Sequence, residues 1–312
     1  METVEIITII LSTISLIFSL SVVFIISYRY NNLARGKSLV QTVYIIAICD
    51  SAVSLSFAMG YPTGFGCSLQ GFLAFNFERA SWLWTDFLIL NIYGVVMNRR
   101  YMFSVKMIHM IVWPMIVIFA FIPYATGMRY GTKHPGSKRC GLVGQNLHGW
   151  GIASESLFFA SVGLILLVCL RILISSKLSN DRTKESHTAV RSESLKTMIL
   201  YPVAMLVTWG PSQIFSILFS NSETNSTICL WDYLHLLAPL YGLALAIIFY
   251  SRTKYARGEW QKIFIEMKLR SGDDNDDTID VDLKDSCISI GESVEEPVYN
   301  PKHSEMVVRI ND

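Results

Sequence analysis

The stretch Cys67–Tyr101, CSLQGFLAFNFERASWLWTDFLILNIYGVVMNRRY, decides the fold. Almost every residue in it is apolar or aromatic, so it reads as a membrane-spanning helix, yet Glu78, Arg79 and Asp86 lie inside the run. A charge at bilayer depth costs about 2.5–3.5 kcal/mol on insertion scales, and such residues face the inside of a bundle. From Cys67 to Met97 a helix would extend about 45 Å. The hydrocarbon core is about 30 Å thick, so the helix is expected to tilt or to project beyond it. Arg79, Trp82, Asp86 and Tyr93 fall at i, i+3, i+7 and i+14 and share one face. We therefore expect the central helix of a bundle. Its charges allow two readings: a polar pocket in the outer half, or an internal ion pair that only locks helices together.

Six further apolar segments surround this one. The full set runs near 4–28, 39–60, 67–97, 107–126, 151–175, 196–220 and 230–251, each long enough to span. The chain is 52% hydrophobic and only 16% charged, well below the quarter or so usual in soluble domains. Its net charge of +1 conceals an asymmetry, because residues 271–312 hold twelve acidic and three basic residues. The expected organisation is a seven-transmembrane all-α bundle over 1–253, an amphipathic helix on the inner surface over 254–270, and an acidic disordered tail over 271–312. In 254–270, Trp260, Ile263, Phe264 and Met267 fall on one face, with Lys254, Arg257, Lys262, Lys268 and Arg270 available to anionic headgroups. The tail lacks periodicity and carries Ser271, Thr278, Ser286, Ser289, Ser293 and Ser304. It reads as disordered and phosphorylatable.

Loop charges orient the bundle. Arg29, Arg35, Lys37, Arg99, Arg100, Lys106, Lys177, Arg182, Lys184 and Arg191 crowd three loops, while 61–66 and 221–229 have no basic residue. The positive-inside rule then places the N-terminus outside and the C-terminus in the cytoplasm, in a plasma-membrane protein. No basic n-region precedes the first apolar run, so that run is expected to act as its own insertion signal. The outer loop 127–150 departs from the rule with Arg129, Lys133, His134, Lys138 and Arg139 and no acid. It is either an ordinary solvated loop or an electropositive lid for an anionic ligand. Cys67 and Cys140 both face the oxidising side, which predicts a disulfide between helix and loop. Asn225 begins a sequon on the same side and is a glycosylation candidate.

The remaining signals are polar or helix-breaking residues within spans. Asp50 lies about 17 Å from the inner end of the second helix, near mid-bilayer. Glu155 sits about one turn into the fifth span. The sixth contains Tyr201-Pro202 and Trp209-Gly210-Pro211, and the seventh Pro239-Leu240-Tyr241-Gly242. Proline removes an intrahelical bond and kinks a helix, so these positions read as switch elements or as static kinks filled by packing. Enzyme chemistry has no foothold here: there is no Gly-rich phosphate loop, no metal-spaced Cys/His cluster, and no paired nucleophile and base. Neither a cofactor, nor a metal, nor a nucleic-acid partner is expected. A retinal Schiff base would need a lysine in the last span, and 230–251 has none. A transporter would be expected to show internal repeats, which are not evident.

Cys67 through Gln70-Gly71, then Ala80-Ser81-Trp82-Leu83-Trp84, resembles the third helix of cyclic-AMP-receptor-like G-protein-coupled receptors, the slime-mould type. Tyr201-Pro202 with Trp209-Gly210-Pro211 and Leu240-Tyr241-Gly242 extend the likeness, with echoes of secretin-like receptors. Where rhodopsin-like receptors carry Asp-Arg-Tyr, Asn98-Arg99-Arg100-Tyr101 stands here. The resemblance implies a receptor for an extracellular small ligand, such as a cyclic-AMP-like anion, that activates a heterotrimeric G protein. On that reading Glu78, Arg79, Trp82, Asp86 and Glu155 bind the ligand, with Lys138 and Arg139 at the rim. Asp50, Tyr201, Pro202, Trp209, Gly210, Pro211, Pro239 and Tyr241 form the switch, and Arg99, Arg100, Arg191 and Lys196 face the G protein. The alternatives are a small-molecule transporter or channel using the Glu78, Arg79, Asp86 track, and a seven-helix scaffold without signalling.

Overall fold

The computed structural model describes residues 2–28, 38–60, 62–98, 102–132, 140–143, 147–179, 186–219, 234 and 236–252. The chain divides into a unit Met1–Lys262 and a unit Ile263–Asp312. The second unit, the amphipathic segment 254–270 and the acidic tail lie outside the described residues. Seven helices are described: α1 (Glu2–Tyr28), α2 (Ser38–Ala58), α3 (Phe65–Asn98), α4 (Val105–Ala125), α5 (Leu147–Ser179), α6 (Ser186–Phe219) and α7 (Leu240–Arg252). Between α4 and α5 lie two short antiparallel strands, β1 (Arg129–Thr132) and β2 (Cys140–Val143). The architecture is a seven-helix bundle of the multi-pass membrane kind.

Helix α3 is the hub. It packs against α2, α4, α5 and α6 and against both strands. Ala80, Trp82, Trp84, Leu88 and Ile89 on it are fully buried, and so nearly are Arg79 and Asp86. This explains why α1, α2 and α4 are long and apolar enough to span by composition alone, whereas α3 is not. A helix wrapped by other helices meets protein rather than lipid, so its polar groups can be satisfied internally. The outward faces carry the opposite signature. Ile6, Ile10 and Ile17 of α1, Met110, Ile118 and Phe121 of α4, Leu166 and Leu170 of α5, and Val207 and Ile214 of α6 are exposed apolar residues at helical spacing. They face lipid.

Two helices differ from the hydropathy reading. Helix α6 begins at Ser186, well before the apolar segment expected from 196, because Ser-His-Thr-Ala-Val-Arg-Ser-Glu-Ser-Leu has neither Pro nor Gly to stop it. Hydropathy marks where the bilayer starts, not where the helix does. Helix α7 begins at Leu240, with turns over 236–239 before it. There the backbone bonds close over three residues, Leu240 N–H to the Leu237 carbonyl at 3.0 Å and Tyr241 N–H to Ala238 at 3.2 Å. Pro239 therefore lies in turns that interrupt the helical run just before α7. In α6, Pro202 and Pro211 do sit inside a continuous helix.

Serines join α1, α2 and α7 at one point. Ser15 Oγ accepts the Leu243 N–H at 3.1 Å, and Ser54 donates to Ser15 at 3.3 Å. The approach depends on Gly242, where an added Cβ would lie 2.2 Å from Ser19 Oγ and 2.7 Å from Ser15 Oγ. Gly242→Ala is accordingly expected to destabilise the bundle by about 1–3 kcal/mol through overpacking. Thermal unfolding in detergent measures this, and Ser19→Ala should restore part of the loss by opening room.

The hairpin is fastened to the first turns of α3. Cys67 and Cys140 form the expected disulfide, Cα atoms 5.2 Å apart. Gly71 lets the strands close in, since a Cβ there would stand 3.3 Å from the Gly141 backbone and from the Tyr130 ring. Ser68 donates to the Tyr130 carbonyl at 3.0 Å. Tyr130 itself is enclosed by Phe72, Phe75 and Tyr124, with edge-on rings 5.7–6.1 Å away. The described ends of the outer loop form paired strands, for which α3 supplies a surface. Peptide mapping under non-reducing conditions should recover Cys67 and Cys140 in one linked species. Cys67→Ser is expected to cost about 2–5 kcal/mol of stability.

Candidate functional site

The candidate site lies where α3 meets α5 and α6, below the hairpin. Its upper part is Arg79. The guanidinium donates to the Phe75 carbonyl one turn earlier, lies over the Phe75 ring at 3.3 Å from its centroid, and stands 5.8 Å from the Trp82 ring. The charge is thus cushioned by aromatic faces, a cation–π arrangement that gains strength away from water. Beside it, Asn76 donates to the Phe72 carbonyl at 2.9 Å and to the Tyr130 hydroxyl at 3.0 Å, linking the site to the hairpin. Burial raises the Tyr130 hydroxyl above the usual phenol range, and the Asn76 bond and the nearby Arg79 charge pull it partly back. It remains a neutral hydroxyl at any physiological pH.

The middle of the site is aromatic. Trp82 packs edge-on against Phe158 of α5 at 4.8 Å and against Trp209 of α6 at 5.9 Å. All three are buried. Trp209 precedes Gly210-Pro211, so the α3–α6 contact falls where α6 has lost a backbone donor. Glu78, on the neighbouring face of α3, accepts from Gln213 Nε2 at 3.3 Å, one turn further along α6. The floor is Asp86, whose Oδ2 accepts from Ser161 of α5 at 2.6 Å while Oδ1 has no hydrogen-bond partner among the described residues. Asp86 is therefore engaged, among the described residues, by a hydroxyl from α5. The Glu155 side chain lies outside the described residues, as do Lys138 and Arg139.

A second polar cluster occupies the opposite face of α3. Asp50 of α2 accepts from Ser81 at 2.8 Å, and the Thr85 and Tyr241 hydroxyls bond at 3.1 Å. Tyr201 of α6, Tyr241 and Asp50 are all buried. The residues expected to form a switch thus fall into two groups: Asp50 and Tyr241 around Ser81 and Thr85, and Trp209, Gly210 and Pro211 against Trp82. Pro202 is buried in α6, and Pro239 belongs to neither group. Arg191 and Lys196 lie on α6 without a described side chain, and Arg99, Arg100 and Asn225 lie outside the described residues.

Sequence reasoning missed the partners that complete these groups. Asn76, Asn91, Thr85, Ser161, Phe158 and Gln213 were not singled out. The two asparagines carried a usable signal, being amides within an apolar span. Ser161 and Phe158 carried none, because serines and phenylalanines recur along α5 and only packing selects these.

No protein-family description and no curated protein sequence matches this chain. Among solved structures, squid rhodopsin is similar in fold, with a TM-score of 0.66 and 15% identity, covering 85% of this chain and 86% of that one. At that identity the likeness concerns the fold alone.

The Asp86–Ser161 bond joins α3 to α5 inside the bundle. Ser161→Ala is expected to lower stability by about 1.5–3 kcal/mol if the carboxylate is charged, and by about 0.5–1.5 kcal/mol if it is neutral. Thermal unfolding of Ser161→Ala, Asp86→Asn and the double variant separates the two cases.

Proposed function

We propose that this chain is a G-protein-coupled receptor for an extracellular small ligand with a negative charge, of the cyclic-AMP-like kind. The observation that carries the reading is the sequence of contacts from Arg79 to the Trp82 ring on α3, and from Trp82 to Trp209 on α6. It sets a buried cation one turn from an aromatic pair that ends at a glycine–proline step. A ligand drawn to Arg79 would press on Trp82, and through Trp209 on the part of α6 where the helix is least braced. The seven-helix architecture shared with squid rhodopsin supports a receptor in general terms. The ligand class rests on Arg79 and on the basic loop that holds Lys138 and Arg139. Glu78, Asp86 and Glu155 would orient the uncharged part of the ligand.

On the same reading the N-terminus is outside, the C-terminus is in the cytoplasm, and the protein sits in the plasma membrane. Arg99, Arg100, Arg191 and Lys196 would meet the G protein, the segment 254–270 would lie on the inner leaflet, and kinases and arrestin-like proteins would act on the tail. Asn225 would carry glycan.

The purified chain in lipid nanodiscs, given cyclic AMP and other purine nucleotides, should accelerate nucleotide exchange on a heterotrimeric G protein. Arg79→Ala should abolish the response while surface amount is unchanged; if the variant merely fails to fold, Arg79 is structural. Probes at the hairpin-distal ends of α3 and α6 should move apart on activation, and Pro211→Ala should blunt the change. Solute uptake into proteoliposomes without any exchange would establish a transporter instead.

A further inference from the structure

Beneath the hairpin, one amide has an edge that no bond in the bundle uses. Asn76 of α3 is 1% exposed, and its Nδ2 donates to two acceptors, the Phe72 carbonyl at 2.9 Å and the Tyr130 hydroxyl at 3.0 Å. A carbonyl oxygen can only accept, so the Phe72 contact fixes which way the amide faces. The Oδ1 edge is turned elsewhere, and it is buried with no hydrogen-bond partner among the described residues. An amide oxygen kept from water with nothing to accept is unfavourable, and folded cores hold few of them.

The surroundings define what would complete it. Tyr130 accepts from Asn76 and so keeps its own proton to give. Arg79, also buried, lies one turn along α3, and its charge acts on the Tyr130 hydroxyl. A cation, a neutral donor and an unused acceptor therefore meet where α3 meets β1. The cation and the hydroxyl suit an anion. The amide oxygen is repelled by a bare anion and bonds only to a donor. The set complements an oxyanion that brings an O–H with it and is mismatched to one that has none. Tying the hairpin to α3 would use Nδ2 alone and gives Oδ1 no role.

We infer that Asn76 is a specificity-determining residue, whose Oδ1 accepts an O–H of the ligand's anionic group while Arg79 and the Tyr130 hydroxyl hold the charge. The ligand class is an oxyanion that carries a proton or a hydroxyl beside its charge, such as a hydrogenphosphate or a sugar phosphate. This rests on the proposal that Arg79 receives an anion, and narrows it.

The probes are inorganic phosphate and sulfate, tetrahedral oxyanions of similar size. At neutral pH phosphate retains an O–H and sulfate has none. Binding to the full chain in nanodiscs is read from tryptophan fluorescence, since the Trp82 ring lies 5.8 Å from the Arg79 guanidinium. The wild type should favour phosphate by about tenfold, the worth of one hydrogen bond. Asn76→Ala should bind the two alike, whereas Tyr130→Phe should weaken both and keep the preference. Infrared difference spectra of wild-type chain with isotope-labelled asparagine should show a side-chain carbonyl shift with phosphate and none with sulfate. That measurement needs no variant, so it decides the matter if Asn76→Ala does not fold. Wild-type binding without a preference for phosphate, or a preference that survives in Asn76→Ala, overturns the inference alone. A chain that binds neither ion, or binds both undiminished in Arg79→Ala, overturns the anion reading of Arg79 and the inference with it.

Discussion

Every polar group within the bilayer must find its partner inside the protein, and α3 is where this chain concentrates them. Arg79, Asp86, Asn76, Asn91, Ser81 and Thr85 all lie on one helix and all are buried. In hydrocarbon each would be strongly unfavourable, since neither backbone nor side chain can bond to water there. The neighbouring helices must therefore surround α3, and their partners must arrive at matching depths: Asp50 from α2, Ser161 from α5, Gln213 from α6 and Tyr241 from α7. That requirement accounts for the order of packing better than apolar burial does. Apolar side chains prefer lipid and protein nearly equally, whereas a misplaced hydroxyl or carboxylate does not.

The two faces of α3 divide the labour. Toward α5 and α6 it presents Arg79, Trp82 and Asp86, with aromatic rings between the charges. Toward α2 and α7 it presents Ser81 and Thr85, which meet Asp50 and Tyr241 through hydroxyl bonds of 2.8 and 3.1 Å. Displacing α6 would disturb the first group at once and the second only through α7. An isolated hydroxyl contact is worth about 0.5–1.5 kcal/mol, so neither group alone holds the bundle in one state. The tighter constraints lie at the two ends, in the disulfide-fastened hairpin and in the bonds of Asn91 to the Phe103 N–H at 2.8 Å and carbonyl at 3.1 Å. Between a fixed top and a fixed turn, the α3–α6 contact at Trp82 and Trp209 is the place where a modest change in packing can be felt at a distance.

The hairpin shows why neighbours are needed to read a loop. Arg-Tyr-Gly-Thr has no alternation of the kind that marks a strand, and one glycine weakens it further. It pairs with Cys140–Val143 because Gly71 leaves space, the disulfide fixes the register, and Tyr130 enters a ring of aromatic side chains. None of these is local to the strand. The same reasoning applies to Pro239, whose sequence neighbourhood marks a break but whose three-residue turns are defined only by the backbone bonds at Leu240 and Tyr241.

The sequence by itself determined the number of helices, the centrality of the third and the disulfide. Bilayer thickness sets a length that can be counted along the chain, a buried charge must sit on an inner helix, and two cysteines on the same side can meet. It also marked Arg79, Trp82 and Asp86 as one face, since helical periodicity needs no neighbour to be read. Only the tertiary structure decided what that face meets. That Asp86 is held by Ser161, that Glu78 reaches Gln213, and that Asn91 grips Phe103 depend on rotation and depth of one helix against another. Serine, glutamine and phenylalanine recur along every span, so their selection is made by distance in space, which periodicity does not carry.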